Sequence, residues 1–244
     1  MKRKRASAMA SSPSWATQTA SSNPQIPSGS RKGSKTRKMN EILKDQRSMI
    51  SGMNRILGTP IPVSDNLTWR LLKPHKRIEP YYGTKLSSAL HAIHECFEPS
   101  KDPYTGRDIS EDIVFDLDSD SEMNLRGFYT VVLERSDDEE MICAATLRIS
   151  GDVAELPLVA TRPQFRRLGM CKIMMNELEN RLIEYGIVRL VLPSAQTALN
   201  TWTSSSIGFS VMSEAEISEL TARHEFLDFK DTVMCHKILL NRTQ

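Results

Sequence analysis

Two arginines and a glycine stand immediately before a helical sequence pattern, and this combination could hold an anion. Arg166, Arg167 and Gly169 lie in the stretch QFRRLGMC, and no acidic residue follows until Glu177. The first amides of a helix are unsatisfied and its dipole is positive there, so a helix start normally attracts negative charge. A helix that opens with positive side chains therefore predicts that the negative charge comes from a ligand.

The expected donors to this ligand are the backbone amides of the loop and the first turn of the helix. Amides at a helix start bind phosphate oxygens well. Gly169 has no Cβ and lets a ligand approach the backbone closely, and Arg166 and Arg167 can add charge-assisted hydrogen bonds. The alternative is a basic loop that only faces water. The predicted diphosphate site consists of Arg166, Arg167, Leu168, Gly169, Met170 and Cys171.

The elements around this loop alternate between strands and helices. An apolar stripe on the following helix, which ends near Tyr185 and Gly186, is expected to pack on a sheet. Alternating hydrophobicity and turn residues predict strands over 127–135, 141–149 and 153–161 before the loop. After this helix we expect strands over 188–194, 209–213 and 232–240, and helices over 195–209 and 214–224. The order β-β-β-α-β-α-β predicts a mixed central sheet flanked by helices, an α/β or α+β domain.

The first half of the chain is less regular. A loose helical period covers residues 39–58, a short strand is expected over 66–73, and a second helix over 84–99. The passage 100–125 is polar and rich in turn residues, and its acidic run is expected to be a solvated loop. We therefore divide the chain into a tail (1–40), a helical part that packs on or completes the main domain (41–125), and the core of that domain (126–240).

The charge of the chain is unevenly distributed. Residues 1–40 carry nine Lys/Arg and no Asp/Glu, a net charge of +9, together with twelve Ser/Thr. The remaining residues hold 23 basic and 30 acidic side chains, a net charge of −7. With few large apolar residues, the tail cannot bury enough surface to offset its ordering entropy, which predicts disorder.

The basic tail is relevant to the cellular location of the protein. Its basic clusters at residues 2–5 and 31–38 suit nuclear import or weak contact with nucleic acid. The alternatives are a solvated tail without a specific role, or a transit peptide that would direct the protein to a plastid. The charge packed into residues 2–5 favours a nuclear signal. No run of 18 apolar residues occurs, which argues against a membrane span.

The cysteines do not indicate a metal site. Cys96, Cys143, Cys171 and Cys235 are far apart and form no C-x-x-C pair. His91 and His94 lie near Cys96, but no fourth ligand is evident, so helix packing is favoured over metal binding. Scattered cysteines suit a reducing compartment.

The loop and its flanks resemble a known family. Arg166-x-x-Gly169-x-Cys171 is similar to the Arg/Gln-x-x-Gly-x-Gly/Ala signature of the GNAT acyl-CoA N-acyltransferases, with Cys at the third position. Pro163 and Phe165 match the approach to that signature. The segments RGFYTVVLER, ELPLVATRPQFRRLGMC and LVLPSAQTALNTWTSSSIGF, with LTWRLLK upstream, resemble the GNAT module of plant nuclear acyltransferases that carry a PHD finger. The likeness covers roughly residues 45–240, and this chain has no ligands for such a zinc finger.

The resemblance implies acetyl-CoA as co-substrate. Its diphosphate would lie on the amides of residues 166–171, and its pantetheine arm would lie alongside Val159, Ala160 and Thr161, where strands splay apart. Glu155 precedes Arg166 by eleven residues, similar to the spacing of the general base in histone-acetylating members. Alternation places Glu155 on one face with Val159 and Thr161. The alternative is a Glu that faces solvent or pairs with an Arg.

The resemblance also implies a function. The expected activity is transfer of an acetyl group to a lysine of a basic protein such as a histone tail, in a nuclear transcription or chromatin complex. The helix after the fifth strand has no Tyr to protonate the leaving thiolate, so the acid stays unassigned between Ser205 and water. The alternative function is a catalytically weak or inactive GNAT-fold interaction module.

Overall fold

A mixed sheet of nine strands forms the centre of the part that the computed structural model describes, residues 48–74, 80–102, 105–117 and 124–239. The strands are β1 (Ile61–Ser64), β2 (Leu67–Leu72), β3 (Tyr129–Arg135), β4 (Met141–Ser150), β5 (Val153–Glu155), β6 (Val159–Thr161), β7 (Arg189–Ala195), β8 (Ser210–Val211) and β9 (Thr232–Ile238). Their order is β1-β2-β3-β4-β5-β7-β9-β8, and β6 pairs with β4. Among these nine described strands, β5 and β7 are the one pair that runs parallel.

Helices cover both faces of the sheet. They are α1 (described over 48–55), α2 (Pro80–His94), α3 (Ile109–Phe115), α4 (Met170–Glu184), α5 (Leu199–Trp202) and α6 (Glu214–Thr221). The stripe of α4 packs with Val131 and Ala145 on one face. Apolar residues of α2 and α3 pack with Val132 and Ala144 on the other. Successive residues along a strand thus pack into two separate hydrophobic cores, because their side chains point alternately to the two faces of the sheet. No described helix is long and apolar enough to cross a lipid bilayer.

The predicted arrangement of strands and helices in the second half of the chain is confirmed. The hairpin of β3 and β4, the helix α4 and the strands β7 and β9 lie within two residues of their expected positions. Gly186 has a φ of +79°, which suits the residue that ends a helix. The tail 1–40 lies outside the described residues, as do residues 39–47 of the first predicted helix.

The expected loop over residues 100–125 was wrong in its centre, where α3 forms. Asp108 caps this helix by accepting a hydrogen bond from the amide of Ser110 at 2.9 Å. Ile109, Ile113 and Val114 are buried against α2 and the sheet. The acidic side chains hid this apolar spacing, although acidic residues in the first turn favour a helix.

The expected single strand over 153–161 is in fact two strands joined by a β-bulge. Glu155 pairs with Arg148 of β4 and Val159 pairs with Ala145, so three residues (156–158) oppose two (146 and 147). The extra residue reverses the alternation. Glu155 therefore lies on the opposite face of the sheet from Val159 and Thr161, and the prediction that they share a face was wrong.

Two further elements differ from expectation. The predicted helix over 195–209 is only a short 3-10 turn followed by α5. Trp202 at its end is buried and makes an edge contact with Phe209, with ring centroids 5.5 Å apart. Strand β1 was not predicted, and it pairs with β2 at the edge of the sheet.

Candidate functional site

The predicted anion loop is an open turn at the start of α4. A 3-10 turn at Pro163–Phe165 leads into it, and Gly169 is the N-cap of α4 with a φ of +80°. The helix's first hydrogen bond joins the amide of Ile173 to the carbonyl of Gly169 at 3.1 Å. Among the described residues, no oxygen accepts a hydrogen bond from the amides of residues 167–172. A row of amides is thus available to a ligand.

No side chain plugs this turn. Residues 166–169 are exposed, and a Cβ added to Gly169 would meet no heavy atom within 4 Å. Open amides that start a 15-residue helix suit the oxygens of a diphosphate. The arrangement therefore has the geometry that the sequence pattern predicts for residues 166–171.

The two arginines of the loop occupy different places. Arg166 turns back, and its guanidinium donates to the carbonyl of Thr161 at 3.0 Å and contacts the Sγ of Cys96 at 3.2 Å. Arg167 is exposed and has no ion pair with any described residue. Arg167 is thus the loop cation available to an anion, whereas Arg166 braces the turn against the end of β6.

Strand β6 leaves one edge unpaired beside this turn. Leu158 and Arg162 bond to β4, through Thr146 N to Leu158 O at 2.9 Å and Arg162 N to Ile142 O at 3.0 Å. Because backbone groups alternate along an antiparallel strand, those of Val159 and Thr161 point to the other edge. Strand β7 pairs with β5 but not with β6. The sheet therefore splays beside Val159, Ala160 and Thr161, as the resemblance implied.

The thiols of Cys143 and Cys171 lie near the turn and are unreactive at neutral pH. The Oγ1 of Thr161 contacts the Sγ of Cys143 at 3.2 Å, and the Cys171 side chain packs against the apolar core. Burial raises the pKa of Cys143 to about 12 and that of Cys171 to about 11. Both thiols therefore stay protonated near neutral pH and are poor nucleophiles. Because Cys171 packs against the core, a cysteine at this position of the motif is compatible with an exposed turn at residues 166–169.

Glu155 is buried and fully hydrogen-bonded. It is 2% exposed, and its Oε2 accepts from the Nε of Arg148 at 2.9 Å. Its Oε1 accepts from the amide of Leu227. Burial raises the pKa of Glu155, and the nearby guanidinium of Arg148 opposes that rise. A carboxylate with a raised pKa suits a general base near neutral pH.

The structure thus brings most of the predicted site together. The amide turn and the free edge of β6 are adjacent, whereas Glu155 lies on the other face of the sheet. Arg148 and Leu227 were missed. The predicted strands 141–149 and 153–161 place residue 147 opposite residue 155. Strand β4 extends to Ser150, so the register shifts by one residue and Arg148 faces Glu155 instead. Leu227 could not be found from the sequence, since it comes from a loop 72 residues away.

The histidines near Cys96 have other partners. His94 contacts Asp108 at 2.5 Å, and His91 contacts Glu95 at 3.2 Å. In the described part of the chain, no group of three or more His, Cys, Asp or Glu side chains could hold a metal ion.

The comparisons with known proteins agree with this geometry. Residues 97–238 match the family described as Increased DNA methylation 1, C-terminal domain. The protein Increased DNA methylation 1 of Arabidopsis thaliana is 30% identical over 214 residues, which cover 82% of this chain and 18% of that protein. The chain thus spans less than a fifth of this relative's length.

Solved structures show the same fold. Tetrahymena GCN5 has a TM-score of 0.56 and 12% identity, covering 72% of this chain and 98% of that one. The catalytic domain of the Tetrahymena GCN5 histone acetyltransferase, solved with coenzyme A, has a TM-score of 0.51 and 12% identity, covering 72% and 95%. The chain therefore belongs to the family of the C-terminal domain of Increased DNA methylation 1, and it has the GNAT fold.

Proposed function

We propose that this domain is an acyl-CoA-dependent N-acetyltransferase that transfers an acetyl group from acetyl-CoA to a lysine of a basic protein such as a histone. The observation that carries the proposal is the open row of amides at residues 167–172 beside the unpaired edge of β6. The amides would bind the diphosphate, with the charge of Arg167 added to them. The pantetheine arm would bond to the backbone groups of Val159 and to the amide of Thr161 as an added strand does, since the carbonyl of Thr161 already accepts from Arg166 and from the thiol of Cys96.

The chemistry requires a base. A lysine amine is protonated near neutral pH, and only the neutral amine attacks the thioester. In the proposed step Glu155 accepts one proton from the lysine ammonium, directly or through water, and the neutral amine attacks the thioester. The C–N bond forms, the C–S bond breaks, and the second proton on nitrogen is released to solvent. Coenzyme A leaves as a thiolate and takes a proton from solvent. The hydroxyl of Ser205, the other candidate to protonate the thiolate, is exposed in the turn after α5.

The cellular setting is also a proposal. The name of the Arabidopsis relative connects that protein with DNA methylation, and we propose by analogy that this chain acts on chromatin in the nucleus. Acidic side chains outnumber basic ones by seven outside the tail, which would attract a basic substrate. A plastid location is the alternative, and a fluorescent fusion of residues 1–40 distinguishes the two.

Two glycine variants test the cofactor site. Gly169 and Gly186 have φ values of +80° and +79°, and a Cβ on either would meet no atom within 4 Å. Ala at either position therefore costs a similar roughly 1–2 kcal/mol of backbone strain. Only at Gly169 would the methyl group enter the space assigned to the diphosphate. We expect Gly169→Ala to weaken acetyl-CoA binding by roughly tenfold or more and Gly186→Ala to leave it within about twofold, measured by calorimetry.

Transfer is measured with the same proteins by incubating acetyl-CoA with mixed histones and reading lysine acetylation by mass spectrometry. Wild type and Gly186→Ala should acetylate histone lysines at similar rates, and Gly169→Ala much more slowly. Equal loss of affinity in the two glycine variants, or no binding in wild type, would contradict the site.

A second candidate function is favoured by the state of Glu155. Because both of its oxygens are occupied and it is buried, the fold could serve as an interaction module that binds acetyl-CoA without turnover. Acetyl-CoA binding by wild type with no acetylation of any histone lysine would support this function and contradict the enzymatic one.

A further inference from the structure

We propose that Arg148 is a positioning residue for acetyl transfer: it fixes one oxygen of Glu155 and ties down the segment that covers the other oxygen. This inference rests on the proposed function and deepens it. It assigns a role to a buried arginine outside the motif of the amide turn.

Arg148 and Glu155 are paired by the register of the sheet. They face each other across β4 and β5, and they are 8% and 2% exposed. The Nε and Nη2 atoms of Arg148 lie 2.9 and 2.8 Å from the same oxygen, Oε2. The guanidinium also lies over the ring of Phe128, 4.6 Å from its centroid. The pair is held rigidly, because the ring and the strand backbone fix both side chains.

The remaining donors of Arg148 reach two loops. Its Nη1 donates to the carbonyl of Asn124 at 2.5 Å, and its Nη2 donates to the carbonyl of Glu225 at 3.1 Å. The side chain of Asn124 in turn donates to Glu225 at 3.1 Å. One buried guanidinium therefore joins the carboxylate of β5 to residues 124 and 225, which are far apart in sequence.

The two oxygens of Glu155 are consequently held in different ways. Arg148 binds Oε2, whereas Oε1 has the amide of Leu227 as its donor. This amide occupies the place on Oε1 that an amine or a water would take. Displacement of residues 225–227 would free Oε1 as proton acceptor while Arg148 keeps the carboxylate in place. The segment 225–227 is thus a cover over the base, attached through the carbonyl of Glu225.

The charges near Glu155 fix the sign of the expected pH effect. Arg148 of β4 favours the carboxylate, and Glu225 opposes it. His224 contacts Ser150 of β4 at 3.1 Å, and His236 of β9 lies two strands away on the same face. Burial disfavours the Glu155 carboxylate, and the positive charge of Arg148 counteracts this effect, so removing that charge raises the pKa of Glu155 further. Transfer needs the unprotonated carboxylate. The increase of kcat/KM with pH should therefore occur at higher pH in a variant without this charge.

The experiment compares Arg148→Gln and Arg148→Lys with the control Arg135→Gln, which removes a half-buried arginine at the end of β3 that pairs with Asp137. The readouts are kcat/KM against pH and the ¹³C titration of the Glu155 carboxyl, assigned with Glu155→Gln. We expect Arg148→Gln to move both to higher pH. Arg148→Lys keeps the charge but has fewer directed donors, so we expect both to stay in place while kcat falls roughly 10- to 100-fold.

The outcomes separate the two proposals. An active wild type whose pH profile and carboxyl titration stay unchanged in Arg148→Gln overturns the role of Arg148 alone. Should Arg148→Gln not fold, Arg148→Lys decides, and an unchanged kcat overturns the inference. A wild type that transfers no acetyl group contradicts the proposed function, whereas the carboxyl titration still reports whether Arg148 controls Glu155.

Discussion

The carboxylate of Glu155 lies beside a guanidinium, and its other oxygen bonds a backbone amide. Both partners favour its ionised form, while burial opposes it and raises its pKa. The sequence could suggest this residue because it interrupts an apolar strand, but its predicted strand bounds place residue 147 rather than Arg148 opposite Glu155. It could not reveal the Leu227 amide, because that contact depends on the path of a distant loop.

Replacing Glu155 tests its role at the scale of one residue. Glu155→Gln keeps the shape of the side chain but removes the base, so we expect kcat to fall roughly 10²- to 10⁴-fold. Acetyl-CoA affinity should stay within about twofold, because Glu155 lies on the face opposite the free edge of β6. Steady-state kinetics and calorimetry measure the two effects, with Glu219→Gln on the exposed side of α6 as the control. A variant as fast as wild type would remove Glu155 from the mechanism.

At the scale of elements, the spacing of apolar residues correctly predicted the strands and helices that bury one apolar face. The prediction failed where a local polar contact or charge determines the backbone conformation. At the bulge, Pro157 has no amide to donate, and the amide of Leu158 bonds the hydroxyl of Thr146 at 3.2 Å. In α3, the charged residues concealed a buried apolar face. Both failures come from single polar contacts or charges, which a hydrophobic pattern does not report.

A buried ion network joins α2 to the sheet and provides a stability test. Glu134 of β3 is fully buried and pairs with Arg70 of β2 and with the Nζ of Lys85 on α2, the latter at 2.5 Å. Both cations also contact Glu139, Arg70 at 3.1 Å and Lys85 at 3.0 Å, but this carboxylate is 43% exposed. Removing Glu134 leaves the two nearly buried cations with this more exposed counter-ion. We therefore expect Glu134→Ala to lower the free energy of unfolding by up to roughly 3 kcal/mol, less than the roughly 3–5 kcal/mol expected for a buried charge that has lost its counter-ion. Denaturant unfolding measures this.

The matched control for this network is Glu219→Ala, whose partner Arg223 is exposed. An exposed ion pair contributes less than about 1 kcal/mol. Equal losses in the two variants would show that the network does not anchor α2.

At the scale of the whole molecule, the sheet separates the proposed cofactor site from the proposed base. The amide turn and the free edge of β6 lie at one place, and the buried pair of Arg148 and Glu155 lies on the other face. The bulge between β5 and β6 produces this separation, because it reverses which side chains face each core. The sequence pattern predicted that a helix starts at this turn, and α4 begins at Met170, because the contacts that start a helix are local.

Amide chemical shifts on acetyl-CoA addition show whether the turn at residues 167–172 binds the diphosphate. We expect the largest ¹H–¹⁵N changes at residues 167–172, whose amides have no acceptor among the described residues, and smaller changes at Val159 and Thr161. S-acetylpantetheine, which lacks the diphosphate, should leave residues 167–172 nearly unchanged. Acetyl-CoA binding with its largest changes elsewhere, or no binding at all, would contradict the account.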